Sequence, residues 1–246
     1  MKIRAIHTEK ILPEATTLLA LLDRSLRAFP DGSVLAITSK IVALCEGRVV
    51  QGKITDALLA QEADYYLSAK ESQYGVPITI KDHCFIARAG LDASNTGGVY
   101  SLLPRDSYTT ARKVRHYIVK RFGVKQAGVI IVDSHSSPLR RGVTGVAIGW
   151  SGFVGLKAYK HARDIFGHRF TTHANHVDAL ATAAVLTMGE GNEQTPLALI
   201  TDIPNLTFKA TSPTKTELAY FKPPLEDDLF APLFDYKKLT KGRART

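Results

Sequence analysis

Apolar residues recur at helical spacing over residues 15–29, where Leu18, Leu19, Leu22, Leu26 and Phe29 mark one face. Pro30-Asp31-Gly32 ends that pattern. The run 34–37 predicts a short buried strand, which leads through Thr38-Ser39-Lys40 into a second apolar stretch at 41–44. Residues 55–70 read as helix, and 76–80 and 85–87 as strands. Ser107 is the expected N-cap of a helix reaching about Phe122, with Ala111, Val114, Ile118 and Phe122 along one face. The opposite face of that helix carries Arg112, Lys113, Arg115, Lys120 and Arg121. Residues 127–133 form the clearest buried strand: five apolar residues, from Val129 back through Ala127 and on to Val132, lead into Asp133 with only Gly128 among them. A strand at 143–148, an alanine-rich helix at 175–188 and a strand at 197–201 follow, and after Asp202 the Thr- and Pro-rich chain is expected to wrap the surface. Strands and helices mix irregularly, which predicts an α/β or mixed α+β fold and excludes all-helical and all-β classes.

The chain has 246 residues, 45% hydrophobic and 22% charged, enough to bury a core without covalent staples. Two cysteines, Cys45 and Cys84, exclude a disulfide-rich scaffold and a four-cysteine zinc site, and are expected as buried thiols. The first residues are interrupted by charges and a proline before any secretory apolar core, and no run approaches membrane-spanning length. The expectation is a soluble cytoplasmic protein. Five of the nine net positive charges come from Lys237, Lys238, Lys241, Arg243 and Arg245, so the body is only mildly basic and 237–246 is expected to be a frayed basic tail. A nucleic-acid-binding module is the alternative that this charge raises, but no nucleic-acid motif or interleaving of aromatics accompanies it.

Asp133 ends a buried strand and opens into Ser134-His135-Ser136-Ser137-Pro138, the place where α/β proteins put metal ligands and catalytic acids. Asp92 lies in Gly90-Leu91-Asp92-Ala93-Ser94-Asn95, a tight turn rich in oxygen donors. Two such aspartates suit Mg2+ or Mn2+, which prefer carboxylate and water oxygens and bridge them to phosphates. A capping aspartate and an Asx-turn are the plain structural readings of the same two residues. Ser39 and Lys40 follow a strand and could serve phosphate, although neither a GxxxxGK[ST] nor a GxGxxG spacing is present. Arg140, with Arg141 beside it, could clamp a phosphate or carboxylate. Glu190, Glu193 and Gln194 could complete a metal shell, while His173 and His176 lack the glutamate of an HExxH site and read as structural or surface residues.

The residues in this order resemble the coenzyme F420-0:L-glutamate ligase family, the CofE-like γ-glutamyl ligases. Residues 32–42 with Glu46-Gly47-Arg48-Val49 are similar to that family's GDVLVVTSKIVSKAEGR stretch. Ala89-Gly90-Leu91-Asp92-Ala93-Ser94-Asn95 is similar to AGIDxSN, Leu102-Leu103-Pro104-Arg105-Asp106 to LLPxD, and 129–142 to VIISDxxGRPxRxG. Asp164-Ile165-Phe166-Gly167, Val177-Asp178-Ala179-Leu180-Ala181 and Pro223-Pro224-Leu225-Glu226-Asp227-Asp228-Leu229-Phe230 continue the series, so that roughly residues 10–230 are covered.

The resemblance implies a two-lobed α/β fold acting as a homodimer. Its core is expected at 1–210, with a surface-wrapping segment at 211–236 and the tail beyond. It implies a nucleotide-dependent glutamate ligase using GTP or ATP, two divalent ions and a monovalent cation, with L-glutamate and a carboxylate acceptor as substrates. Asp92 and Asp133 fall on the family's metal aspartates and Ser134 on a neighbouring hydroxyl. The 190–194 stretch falls on the region supplying the remaining Glu and Gln ligands, with either Glu190 or Glu193 as the acid. Asp92, Asp133 and Arg140 are the expected catalytic residues. Ser39, Lys40, Ser134 and Asn95 are expected near the nucleotide. After Asp133 the chain departs from the family's Phe-Gly-Arg-Pro-Trp-Arg pattern with Ser136-Ser137-Pro138-Leu139-Arg140. That departure points to the same chemistry on another acceptor, a folate-like pterin glutamate or a peptide carboxylate in α- or γ-linkage, beside the reading of a non-catalytic nucleotide binder.

Overall fold

The computed structural model describes residues 1–160, 162–234 and 238–243. Its centre is a five-stranded sheet made of β1 (Lys2–Ile6), β2 (Ser33–Thr38), β8 (Ala127–Ser136), β9 (Val143–Ser151) and β12 (Leu197–Thr201), in the order β1-β12-β2-β8-β9. Only the central β2–β8 pair is parallel, in register from Ser33↔Ala127 to Thr38↔Val132. The continuous apolar runs of these two strands follow from burial on both faces. Leu35, Ile37, Val129 and Ile131 pack against Ala111, Val114 and Ile118 of helix α4 (Ser107–Phe122), with Leu22 of helix α1 (Leu18–Ser25) alongside. Val34, Ala36, Ile130 and Val132 pack against Val177, Ala181 and Ala184 of helix α5 (His176–Met188). Each of these larger side chains contributes about 1.5–3 kcal/mol by leaving water. Alanines on α5 let it lie close to β9: a Cβ at Gly145 would come within 2.4 Å of the Ala181 carbonyl oxygen.

Between β2 and β8 come helix α2 (Ser39–Cys45), β3 (Val49–Val50), helix α3 (Asp56–Glu62), β4 (Tyr65–Leu67), β5 (Ile78–Lys81), β6 (Cys84–Ala87) and β7 (Tyr100–Ser101). Strands β4, β5 and β6 form a second antiparallel sheet, and β3 pairs with β7. The expected helix over 55–70 is therefore divided. Thr55 caps α3, whose pattern ends at Ala63, and Tyr65 and Tyr66 pair with Ile80 and Thr79 instead of continuing the helix. Aromatic residues favour that pleated setting. Helix α1 is also shorter than the 15–29 periodicity, because Thr17 caps it and the chain is extended at Leu26. Asp106, rather than Ser107, is the N-cap of α4, its carboxylate accepting from the Thr109 N–H at 2.8 Å. The carboxylate also places negative charge at the positive end of the helix dipole. Strand β1 has no counterpart among the expected elements.

The C-terminal segment crosses from one sheet to the other. After β10 (Leu156–Ala158), β11 (His173–Asn175), α5 and β12, helix α6 (Lys215–Phe221) sets Phe221 edge-on to Trp150, with ring centroids 4.9 Å apart. The buried Arg115 donates to Ala210 O (2.7 Å) and Ala127 O (3.0 Å), fastening the start of this segment. Lys222 pairs with Asp82 at 3.3 Å, and Phe234 meets Phe85 at 5.0 Å. The tail expected to be frayed falls partly outside the described residues. Within them, β13 (Thr240–Lys241) adds a strand to β4, and Gly242 N–H donates to Asp64 O at 2.8 Å. Gly242 is required there, since a Cβ would meet the Ala63 carbonyl oxygen at 2.0 Å. The two cysteines are free and partly buried, and burial pushes the thiols of Cys45 and Cys84 up to about 11 and about 12. Among the described residues no helix is long and apolar enough to cross a membrane.

Candidate functional site

The parallel pair β2–β8 delivers two polar residues side by side. Beyond Thr38↔Val132 the chains diverge, β2 into α2 and β8 into its outer half, and the Ser39 hydroxyl hydrogen-bonds to the Asp133 carboxylate at the parting. Thr38 caps α2, Ser39 is buried, and Lys40 reaches outward from the first turn. Asp133 accepts a hydrogen bond from the Ser134 N–H at 2.9 Å. Burial pushes its carboxyl up to about 7, against the hydrogen bonds of Ser134 and Ser39 and the attraction of Lys40, and with the repulsion of Asp92 added. Desolvation thus outweighs every stabilising partner of this carboxylate, Lys40 included.

Asp92 arrives from the second sheet. Strand β6 ends in a single 3-10 turn, Arg88–Gly90, after which Asp92 forms an antiparallel bridge with Ser101. Its Oδ1 accepts from the Ser94 N–H (2.8 Å) and its Oδ2 from Ser94 Oγ (2.8 Å) and Lys40 Nζ (2.6 Å). Partial burial works to raise its pKa, but the hydrogen bonds of Lys40 and Ser94 and the ammonium charge outweigh it and hold the carboxyl below its ordinary value. The same ammonium donates to Ser94 O (2.8 Å) and Ser94 Oγ (2.6 Å), so all three donors of Lys40 are engaged.

The third wall is the loop between α5 and β12. Gly191 N–H donates to Glu193 Oε2 at 2.8 Å. Asn95 Nδ2 donates to Gly191 O at 2.8 Å, tying the Asp92 loop to the acidic loop. Gln194 Nε2 donates to Thr8 O at 2.6 Å and Thr8 N–H to Gln194 O at 3.1 Å, tying that loop to the end of β1. These walls enclose a cavity of about 650 Å3, lined by Ser39, Lys40, Asp92, Asn95, Asp133, Ser134, Glu190, Glu193 and Gln194 together with the 8–12 segment. Among the described residues no three acidic, histidine or cysteine side chains stand close enough to form a ready-made metal cluster.

The sequence-derived candidates thus converge, with one exception. Arg140 does not line the cavity; it lies on the exposed turn between β8 and β9, beside a fully exposed Leu139. Asn95 is spent on the Gly191 clasp. His173 faces the Tyr220 hydroxyl at 3.2 Å, and burial lowers His176. Sequence reasoning missed the 8–12 wall, which brings Glu9, Lys10 and Leu12 to the cavity. The alternation Lys2-Ile3-Arg4-Ala5-Ile6 is the period-2 signal that marks the strand leading to it.

The model of the F420-0:Gamma-glutamyl ligase family matches residues 5–202. The coenzyme F420:L-glutamate ligase of Methanocaldococcus jannaschii is 40% identical over 192 residues, 69% of this chain and 75% of the relative. That of Archaeoglobus fulgidus is 31% identical over 208 residues, 77% and 83% of the two chains. With three Methanococcus maripaludis ligases the chain spans about half to three-fifths of the relatives' length, at 39% identity over 155 residues in the longest of those matches. By this match over most of its length, the chain belongs to the F420-0:γ-glutamyl ligase family.

Proposed function

We propose that the protein is a nucleotide- and divalent-metal-dependent glutamate ligase that joins the amine of L-glutamate to an acceptor carboxylate. The observation that carries this reading is the single cavity in which Asp92, Asp133, Lys40 and the 190–194 loop meet. The family membership supports the ligase class, and the relatives are named for F420 as acceptor.

The donor set fits a hard divalent cation. Asp92 and Asp133 offer carboxylate oxygens, Ser134 a hydroxyl, and Glu190, Glu193 and Gln194 further oxygens across the cavity. An ammonium seated on Asp92 marks that position as one suited to positive charge. Mg2+ binding commonly rests on one or two carboxylates completed by water and phosphate, so a preformed three-acid cluster is not needed. Asp92 and Asp133 would be the holding residues, with Ser134 and the 190–194 loop beside them. Such ions, when bound, spread the triphosphate charge and help align the attacking oxygen.

In the proposed reaction the acceptor carboxylate oxygen attacks the γ-phosphorus of GTP or ATP. The bond to the bridging oxygen breaks and nucleoside diphosphate leaves. The glutamate amine then attacks the acyl carbon, the carbon–oxygen bond to phosphate breaks, and the amine proton passes to solvent. Lys40 serves the phosphates after exchanging its Asp92 and Ser94 partners, because it has no donor free otherwise. Ser39 and Asn95 hold the walls. A homodimer belongs to the same reading.

The acceptor is open to one further argument. The turn carrying Arg140 stands out of the cavity and departs from the family pattern, which favours the same chemistry on a pterin or peptide carboxylate. The test is incubation with labelled glutamate, Mg2+ or Mn2+, GTP or ATP, and each of three acceptors: F420-0, a pterin glutamate and a peptide. Mass analysis should show an added glutamate on one acceptor with release of diphosphate and phosphate. Nucleotide binding without any amide product would overturn the ligase in favour of a non-catalytic binder.

A further inference from the structure

We infer that Thr79, a residue outside the cavity, positions Asp92 by holding the left-handed turn from which that carboxylate hangs. This rests on the reading of Asp92 as a metal-holding carboxylate.

Three consecutive residues before Leu91 have positive φ: Arg88 at 54°, Ala89 at 54° and Gly90 at 78°. Glycine adopts this conformation freely, but Arg88 and Ala89 each cost on the order of 1 kcal/mol or more in it. Strain of this kind persists only where the surroundings hold it. Here the holder is specific. Thr79 on β5 is fully buried, and its hydroxyl accepts from the Ala89 N–H at 2.8 Å while donating to the Ile86 carbonyl. Ala89 is itself buried, so its N–H would otherwise face protein without an acceptor, at a cost of about 1–3 kcal/mol. The backbone of β5 is engaged with β4 and β6, which leaves a side chain as the group that reaches the turn. A second bond, Arg88 N–H to Pro77 O at 3.1 Å, pins the start of the turn to the residue just before β5.

The direction of the turn then fixes the next residues. Leu91 N–H returns to Arg88 O at 3.0 Å, Leu91 is buried, and Asp92 enters its bridge with Ser101. From there its carboxylate meets Lys40, in the first turn of α2 where that helix leaves β2 of the main sheet. The hydroxyl of one threonine on the second sheet thus sets the angle at which an acid is presented to the first.

The test uses Thr79→Val, which keeps volume and strand preference but removes the hydroxyl, and Thr79→Ser, which restores it. Hydrogen exchange of the 86–95 amides and Mn2+ affinity of the nucleotide-free protein are measured for each, with Asp92→Asn as reference. Thr79→Val should speed exchange in that segment and weaken Mn2+ binding by about tenfold or more, the range found when groups orienting metal ligands are removed. Thr79→Ser should stay within about twofold of the parent in both, as a retained hydrogen bond requires. Adding Ala89→Gly to Thr79→Val should recover part of the loss, because glycine removes the left-handed strain at residue 89 although its buried N–H still lacks the threonine acceptor. If Thr79→Val does not fold, that double variant carries the test, and its failure to recover the fold and the slow exchange counts against the inference. Unchanged exchange in folded Thr79→Val, or equal damage in Thr79→Ser, overturns it. If the parent binds no Mn2+, or Asp92→Asn binds it as well as the parent, the metal reading of Asp92 fails instead, and the exchange data alone decide whether Thr79 holds the turn.

Discussion

The two carboxylates that meet in the cavity are held in opposite ways. Asp133 sits in β8 just past the part packed on both faces, where the strand runs on to Ser136 against β9, so apolar burial fixes its backbone while its charge is left poorly compensated, and its carboxyl is pushed up to about 7. Asp92 hangs from a left-handed turn of the smaller sheet, half exposed, and a lysine and a serine hold its carboxyl low. Packing makes a position rigid at the expense of the charge placed there. Hydrogen bonding makes the charge comfortable but depends on every partner being in place. A site built from one of each has an electrostatic demand for a cation at one end and a geometric demand for support at the other.

The largest expected effect ignores the contrast. Asp133→Asn and Asp92→Asn should each lower ligase turnover to below about one hundredth, and the double variant should be no worse than either, as residues acting as a unit behave. Turnover of folded variants at saturating Mg2+ checks this, and near-normal activity in either would remove that residue from the site. Stability should separate the two. Between pH 4 and 7 the metal-free native state keeps a proton on Asp133 that the unfolded chain releases, so stability linked to Asp133 is present at low pH and lost as pH rises to about 7. Asp133→Asn should therefore raise stability at pH 8 by on the order of 2–4 kcal/mol. For Asp92 the sign reverses: its contribution is present above the ordinary carboxylate range and lost on acidification, and for a half-exposed pair it is at most about 1 kcal/mol. Denaturant melts of the metal-free variants from pH 4 to 8 read both.

Lys40→Met should raise the nucleotide Kd by about tenfold, the worth of one charge-assisted contact. An unchanged Kd would confine Lys40 to pairing with Asp92. A smaller change is expected at the far edge of the second sheet. Gly242→Val should detach β13 from β4 and cost about 1 kcal/mol in thermal melts, with turnover close to the parent. The smallest belongs to Arg140→Ala, which should alter nucleotide Kd by less than about twofold, since an exposed turn outside the cavity makes no contact there. A larger loss would show that the turn reaches a nucleotide after all.

What could be read from the residues tracks the same contrast. The buried part of β8 and Asp133 were legible because a run packed on both faces stands out from polar neighbours, but the strand does not end at Asp133: Ser134, His135 and Ser136, expected to open a loop, stay paired with β9, since backbone pairing needs no apolar side chain. Helices α4 and α5 were legible within a residue or two because amphipathic spacing and alanine content are local properties. Strand β4 was not, since three residues carry too little periodicity to interrupt a helical reading. β1 hid its alternation behind Lys2 and Arg4. Asp92 stood out through its turn and through family resemblance, but its support did not, because Thr79–Ala89, Asn95–Gly191 and Lys40–Asp92 join residues whose proximity depends on topology. Arg140 was expected in the site from its spacing after Asp133, and the β8–β9 hairpin carries it away.

The family match ends at residue 202, yet the chain beyond it holds Arg115 through Ala210, covers Trp150 with Phe221 and edges the smaller sheet with Thr240 and Lys241. A protein trimmed to the shared region would keep every cavity residue and lose the brace between the two sheets that present them. Homology and autonomy of folding draw different borders on this chain, and a graft of the site onto another scaffold has to follow the second.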